Sequence, residues 1–224
     1  MPFPLTHLLI ADELLARRPR PPEDAAQFIL GSIAPDAVHY RKNLPSDMSG
    51  IGPIKKITHL CPVSEERWGY VTDNDGWLEC IRAFVKAHPG SLAEGYTAHV
   101  LADLFNNMTM WRNFRAWHPK EAAKGYRSGY YQDLRNIDFR LYQTLTTQIN
   151  QIWSLLAKAK AHDMPDLVSE DEINAIRENI LYVHYRPPLH RPSQKYSFVT
   201  YEKYLKFIQN AADFVEIQGK EMAL

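Results

Sequence analysis

Cysteine is nearly absent: Cys61 and Cys80 are the only two in 224 residues. Two cysteines build no disulfide framework, so a reducing cytoplasm is the expected compartment. An excess of either charge is also missing, because 26 Lys and Arg balance 26 Asp and Glu. Proteins that hold nucleic acid by its phosphates carry a basic surplus, so nucleic acid is not an expected partner. No apolar run approaches the roughly 18 residues that a membrane span needs. The start, Met1-Pro2-Phe3-Pro4-Leu5-Thr6-His7, has no basic stretch, and Asp12 and Glu13 soon interrupt its apolar run, so no signal peptide is expected. Internal repeats and low-complexity tracts are lacking as well. Hydrophobic residues make up 45% and charged residues 23%, which excludes a disordered chain.

What is present is a pattern of long proline-free stretches. The 15 prolines leave 120–164 and everything after Pro192 clear, with further gaps at 63–88, 90–118 and 166–186. Such stretches, with few β-branched alternations and sparse glycine, indicate helices. Helices are expected over 5–17, 23–30, 76–87, 91–108, 120–160 with a break near Gly125 or Gly129, 169–185 and 198–218. Ser91 with Glu94, and Ser169 with Glu172, have the spacing of capping boxes. Residues 41–56, with Pro45, Gly50, Gly52 and Pro53, are expected to be a loop, and 186–192 a rigid turn. No segment reads as a strand. The expected class is all-α, one multi-helix domain over 1–224.

The chemistry concentrates on the helix after Ser91. Its inward face, by helical spacing, carries Leu92, Gly95, Tyr96, His99, Val100, Asp103 and Asn106 or Asn107. His99 and Asp103 are one turn apart on a face that is otherwise apolar. A carboxylate buried there is costly unless paired or bound to a cation, and imidazole with carboxylate is a good two-point ligand set for zinc or iron. A His–Asp hydrogen bond between helices is the plainer reading. His7 also falls at an apolar position. Asp36 follows Pro35, where it could simply open a helical turn. His59 could be a core histidine bonded to a carbonyl.

Taken in order, these residues resemble the zinc-dependent phospholipase C family, which is related to the S1/P1-type nucleases. The matching segments are Thr6-His7, Gly31-Ser32-Ile33-Ala34-Pro35-Asp36, Thr58-His59 and Gly95-Tyr96-Thr97-Ala98-His99-Val100-Leu101-Ala102-Asp103. They cover about the first half of the chain. The resemblance implies a helical fold around a central metal site. It implies that Asp36, His59, His99 and Asp103 hold one metal and that Asp103 bridges to a second, which His7 also binds. Zinc is the implied ion, one or two per chain, with iron, nickel or manganese as other ions that suit these ligands. A hydroxide held between the metals would attack the phosphorus of a phosphoester, with Asp36 and Asp103 as the catalytic carboxylates. A small phosphoester or a phospholipid headgroup is the implied substrate.

Departures from the family pattern are specific. Where three-metal members carry a further histidine six residues after the bridging aspartate, this chain has Thr109. A later His-x-x-x-acid pair is met by spacing only at His162 and Asp166, with Pro165 between them. His118 and His184 are alternative donors for an altered site. The N-terminal amine that serves the secreted relatives as a ligand is not expected here.

Arg41, Asn106 and Asn107 are weak candidates for substrate contacts, as are Arg112 and Arg115. The run Tyr126-Arg127-Ser128-Gly129-Tyr130-Tyr131, with Arg135 and Arg140, could line an entrance or be an ordinary packed helix face. The five tryptophans, Trp68, Trp77, Trp111, Trp117 and Trp153, read as core or cleft walls. Cys61, beside Pro62, is not expected as a ligand. Two other readings compete with the phosphoesterase. An HD-type phosphohydrolase would need His162-Asp163 on a helix. A non-catalytic helical protein would use the cluster as a structural or degenerate site that binds a ligand or partner.

Overall fold

The structure is a computed structural model that describes residues 3–42, 51–62, 69–186, 192–193 and 195–222. Its elements are α1 (Pro4–Arg17), α2 (Pro22–Gly31), a 3-10 turn (Ala34–Tyr40), α3 (Ile51–Thr58), α4 (Asn74–Ala87), α5 (Ser91–Asn106), α6 (Arg112–Trp117), α7 (Pro119–Ala122), α8 (Gly129–Thr144), α9 (Thr146–Lys158), α10 (Glu170–Asn179) and α11 (Tyr201–Glu221). No strand occurs among the described residues, and the one β-bridge joins Met164 to Val168. The protein is all-α.

Helix α5 is the axis of the molecule. Helices α1, α2, α4 and α11 pack around it, and every residue from Gly95 to Leu104 is buried. The expected one-sided face is therefore a helix enclosed all round, as befits a segment with few charges. The crossing of α2 over α5 is tight because glycine meets glycine. A Cβ on Gly31 would lie 3.0 Å from the Gly95 Cα, and one on Gly95 would lie 2.1 Å from the Phe28 carbonyl oxygen. Helix α1 is held on α11 by a buried hydrogen bond between Thr6 Oγ1 and the Tyr204 hydroxyl, 3.0 Å, and by Arg17 donating to Asp213 and Glu216 at its exposed end.

Several boundaries depart from the sequence expectation. Residues 51–56 are not loop but the body of α3, while 43–50 lie outside the described residues. Ser91 is not a cap: Gly90, at φ 107°, precedes the helix, Ser91 donates to Asp24, and Glu94 pairs with Arg20. The long-range partners outcompete the local box. By contrast, Ser169 and Glu172 form the reciprocal capping box in full. The helix expected to stop near Met108 runs on through a wide π turn (Asn107–Trp111) into α6. Within 120–160 the chain breaks near Gly125 and again at Leu145. Trp77 and Trp111 are core residues, Trp153 is half-buried, Trp117 is exposed, and Trp68 falls outside the described residues, as does most of 186–192.

Candidate metal centre

Five side chains from four elements converge beside α5. His99 and Asp103 come from its middle, one turn apart. His7 comes from the first turns of α1, where Pro4 at the first helical position sets the start. Asp36 sits in the 3-10 turn that Pro35 opens, and His59 follows the last turn of α3.

Asp103 is the hub. Its Oδ1 lies 3.6 Å from His7 Nε2, and its Oδ2 lies 3.5 Å from His59 Nε2 and 3.6 Å from His99 Nε2. Asp36 Oδ1 also approaches His59, 3.4 Å from the same Nε2. These separations exceed ordinary hydrogen bonds and match the roughly 3.3 Å edge of a tetrahedron with metal–ligand bonds of about 2.0–2.1 Å. Two overlapping groups have the spacing to hold an ion: His7, His99 and Asp103, and Asp36, His59 and His99.

The donor chemistry agrees with that spacing. His99 Nδ1 is 2.8 Å from the Ser32 carbonyl oxygen, which can only accept, so Nδ1 carries the hydrogen. In the neutral ring, Nε2 then presents a lone pair to the Asp103 carboxylate. Two acceptors facing each other in a buried site repel unless a cation lies between them. His99 Nε2, both nitrogens of His7 and both oxygens of Asp103 are buried and make no hydrogen bond among the described residues. A carbonyl that orients a histidine through its other nitrogen is the usual support of a metal ligand. The rest of the support is equally local: Tyr96 OH donates to the Thr58 carbonyl, and Trp77 Nε1 donates to that of His59 at 2.8 Å.

Burial keeps two of these imidazoles, His7 and His59, uncharged. It pushes His7 down to about 3, aided by neighbouring His99, and His59 down to about 4, aided by the Lys55 ammonium. Neutral imidazoles with an ionised carboxylate are what a divalent cation binds.

Lys55 is the residue that the sequence reading missed. Its Nζ donates to Asp36 Oδ1 at 2.6 Å and lies 3.2 Å from His39 Nε2, and its side chain is 2% exposed. Burial would lower the ammonium's pKa, but Asp36 more than reverses that. Reciprocally, burial would raise Asp36, and Lys55 holds it well below the carboxylate range. The signal is the one-turn spacing of Lys55 and His59, which a loop over 41–56 would hide.

A cleft of about 430 Å³ reaches Asp36 and Lys55, with His39, Tyr126, Arg135 and His184 also on its walls. Tyr126 and Arg135 thus stand at an entrance, while Tyr130 and Tyr131 are core and Arg140 lies over the Tyr201 ring. The other candidates sit elsewhere. Arg41 clasps both Glu172 oxygens and the Leu167 carbonyl, which ties the 3-10 turn to α10. Asn106 accepts from the Tyr130 hydroxyl, and Asn107 donates to the Val71 carbonyl and to Asn74. Thr109 donates to the Phe105 carbonyl, and Arg115 donates to that of Gly69. Arg112 is exposed on α6. His118 lines a separate hollow of about 560 Å³ with Phe114 and Trp117. His162 and Asp163 are exposed and lie outside the helices, and Asp163 accepts from the Glu170 N–H at the start of α10. Neither candidate ligand group includes Cys61.

Fold and site together define an all-α protein with a buried histidine–aspartate cluster of metal-ligand character. No family model matches the chain, and neither a curated protein nor a solved structure does.

Proposed function

We propose that the protein is a metal-dependent phosphoric ester hydrolase of the zinc-dependent phospholipase C type. In it, His7, Asp36, His59, His99 and Asp103 would hold one or two zinc ions. One observation carries the reading: three imidazole Nε2 atoms lie within 3.6 Å of the Asp103 carboxylate oxygens in a buried site. A divalent cation bound there supplies Lewis-acid stabilisation of phosphoryl charge and acidifies water. Asp103 and the three imidazoles would hold the ion on the buried side of the cluster. Asp36 faces the cleft and, held ionised by Lys55, orients a hydrogen-bond donor rather than taking a proton. Arg135 and Lys55 on the cleft walls favour an anionic substrate, a small phosphoester or a phospholipid headgroup, and the balanced net charge disfavours nucleic acid. The two cysteines fit a cytoplasmic setting.

The test is metal content by mass spectrometry on untagged protein, wild type beside Asp103→Ala, followed by hydrolysis of phosphomonoesters, phosphodiesters and phospholipids. Metal in the wild type, its loss in the variant and turnover of one ester class are expected. A variant that keeps full occupancy would sink the ligand assignment.

A second reading is a structural metal in a non-catalytic protein. It is favoured by burial: His7, His59, His99 and Asp103 are at most 2% exposed, and among the five only Asp36 lines the cleft. Bound metal without turnover of any ester class would select it.

A further inference from the structure

We propose that the Lys55 ammonium takes the place of a second metal ion, so that the centre binds one divalent cation at Asp103 and Lys55 supplies the other positive charge. The inference rests on the metal-centre reading above and adds the stoichiometry and the anion-binding role of Lys55.

Geometry separates the cluster into two halves. The Asp103 half, with His7 and His99, offers two imidazole nitrogens and a carboxylate at the spacing that holds an ion. The Asp36 half already holds a cation. Lys55 Nζ is 2.6 Å from Asp36 Oδ1, the same oxygen that faces His59 Nε2 at 3.4 Å. A metal bound to that oxygen at about 2.0–2.2 Å would lie within about 5 Å of the ammonium. In a buried site such a like-charge pair is strongly unfavourable.

Charge counting points the same way. The two carboxylates with one divalent cation and the ammonium leave a single positive charge. Two divalent cations with the ammonium would leave three, deep in the fold. Helix α3 places Lys55 one turn before His59, so the ammonium and the histidine arrive together, and His39 accepts from the ammonium on its cleft side. Both Asp36 and Lys55 line the cleft, whereas Asp103 does not. An entering phosphate therefore meets Lys55 on the way to the metal. The position of Lys55 on the cleft wall suits an oxyanion of a phosphoester.

The experiment uses the full-length protein loaded with zinc, and inorganic phosphate as the anion probe. Zinc is counted by mass spectrometry, and phosphate affinity is measured by calorimetry. The variants are Lys55→Met, which keeps the length of the side chain without its charge, and Lys55→Arg, which keeps the charge. One zinc per wild-type chain is expected. Phosphate binding should weaken about tenfold in Lys55→Met and stay close to wild type in Lys55→Arg. Two zinc ions per wild-type chain would overturn the inference while leaving the metal-centre reading intact, and so would unchanged phosphate affinity in Lys55→Met. Absence of zinc from the wild type would overturn both. Should Lys55→Met fail to fold, zinc-edge anomalous scattering from wild-type crystals decides. A single peak beside Asp103 supports the inference, and a second peak on Asp36 refutes it.

Discussion

The imidazoles of His7 and His99 lie face to face, with ring centroids 3.6 Å apart and planes 11° from parallel. One comes from the first turns of the chain and the other from its central helix. Burial holds the His7 ring uncharged. Both rings aim Nε2 at Asp103, His7 at one oxygen and His99 at the other. The stack thus fixes two donors on one carboxylate.

Replacing that carboxylate should empty the site without unfolding the helices. Asp103→Asn keeps the shape and removes the charge that a cation needs. Zinc affinity should fall by more than about 100-fold, with the far-ultraviolet circular dichroism unchanged. Equal zinc affinity in the two proteins would remove Asp103 from the ligand set.

Metal should also stabilise the fold, because the donors come together only in the native state. Free zinc at about 100 times its dissociation constant is worth about 2.7 kcal/mol, or roughly 5–10 °C in Tm for a chain of this size. Thermal melts with added zinc and with a chelator measure this directly. Superimposable melts would mean that native and unfolded chains bind zinc alike, or that neither does.

Gly95→Ala tests whether the α2–α5 crossing positions the centre. Alanine favours a helix over glycine by about 1 kcal/mol. Here the new Cβ would sit 2.1 Å from the Phe28 carbonyl oxygen, which is backbone and cannot rotate away. Overpacking of this kind costs about 1–3 kcal/mol, so the net effect is destabilising. Because α2 leads directly to Ser32, whose carbonyl orients His99, zinc affinity should fall along with Tm. A variant as stable as wild type would show that the two helices can separate freely.

Asp138 gives a pH signature that is independent of the metal. Burial raises its carboxyl from 3.8 to about 7, against hydrogen bonds from the Tyr185 hydroxyl and the Leu5 N–H that would lower it. Between about pH 4 and 7 the native state therefore holds a proton that the unfolded chain has released. Stability from this group is full below its unfolded pKa and is lost as pH rises through the folded one. Asp138→Asn removes that slope. Its Tm should gain on wild type between about pH 5 and pH 8, and parallel pH profiles would contradict the assignment.

Legibility varied from residue to residue for physical reasons. Ser169 and Glu172 were readable because both partners of a capping box lie within four residues. Ser91 and Glu94 had the same spacing, yet Asp24 and Arg20, remote in sequence, claimed them. Arg41 had the charge for a phosphate, but its planar fork fits the Glu172 carboxylate and is spent there. Asn106 and Asn107 were placed near the site by helical spacing, and the π turn that begins at Asn107 leaves them bonded to Tyr130, Val71 and Asn74.

By itself the sequence determined the helical class, because proline-free stretches without alternation leave no other regular structure open. It also singled out His7, His99 and Asp103, because polar groups at apolar positions must be answered by a partner, while Asp36 and His59 joined them only through the resemblance to the zinc-dependent phospholipase C family. Only the tertiary structure decided that three imidazoles meet at Asp103 with Asp36 beside His59, that α3 is a helix, and that Lys55 stands on Asp36. Contacts between distant segments depend on how helices cross, and those crossings are set by packing such as glycine on glycine, which no local window of residues encodes.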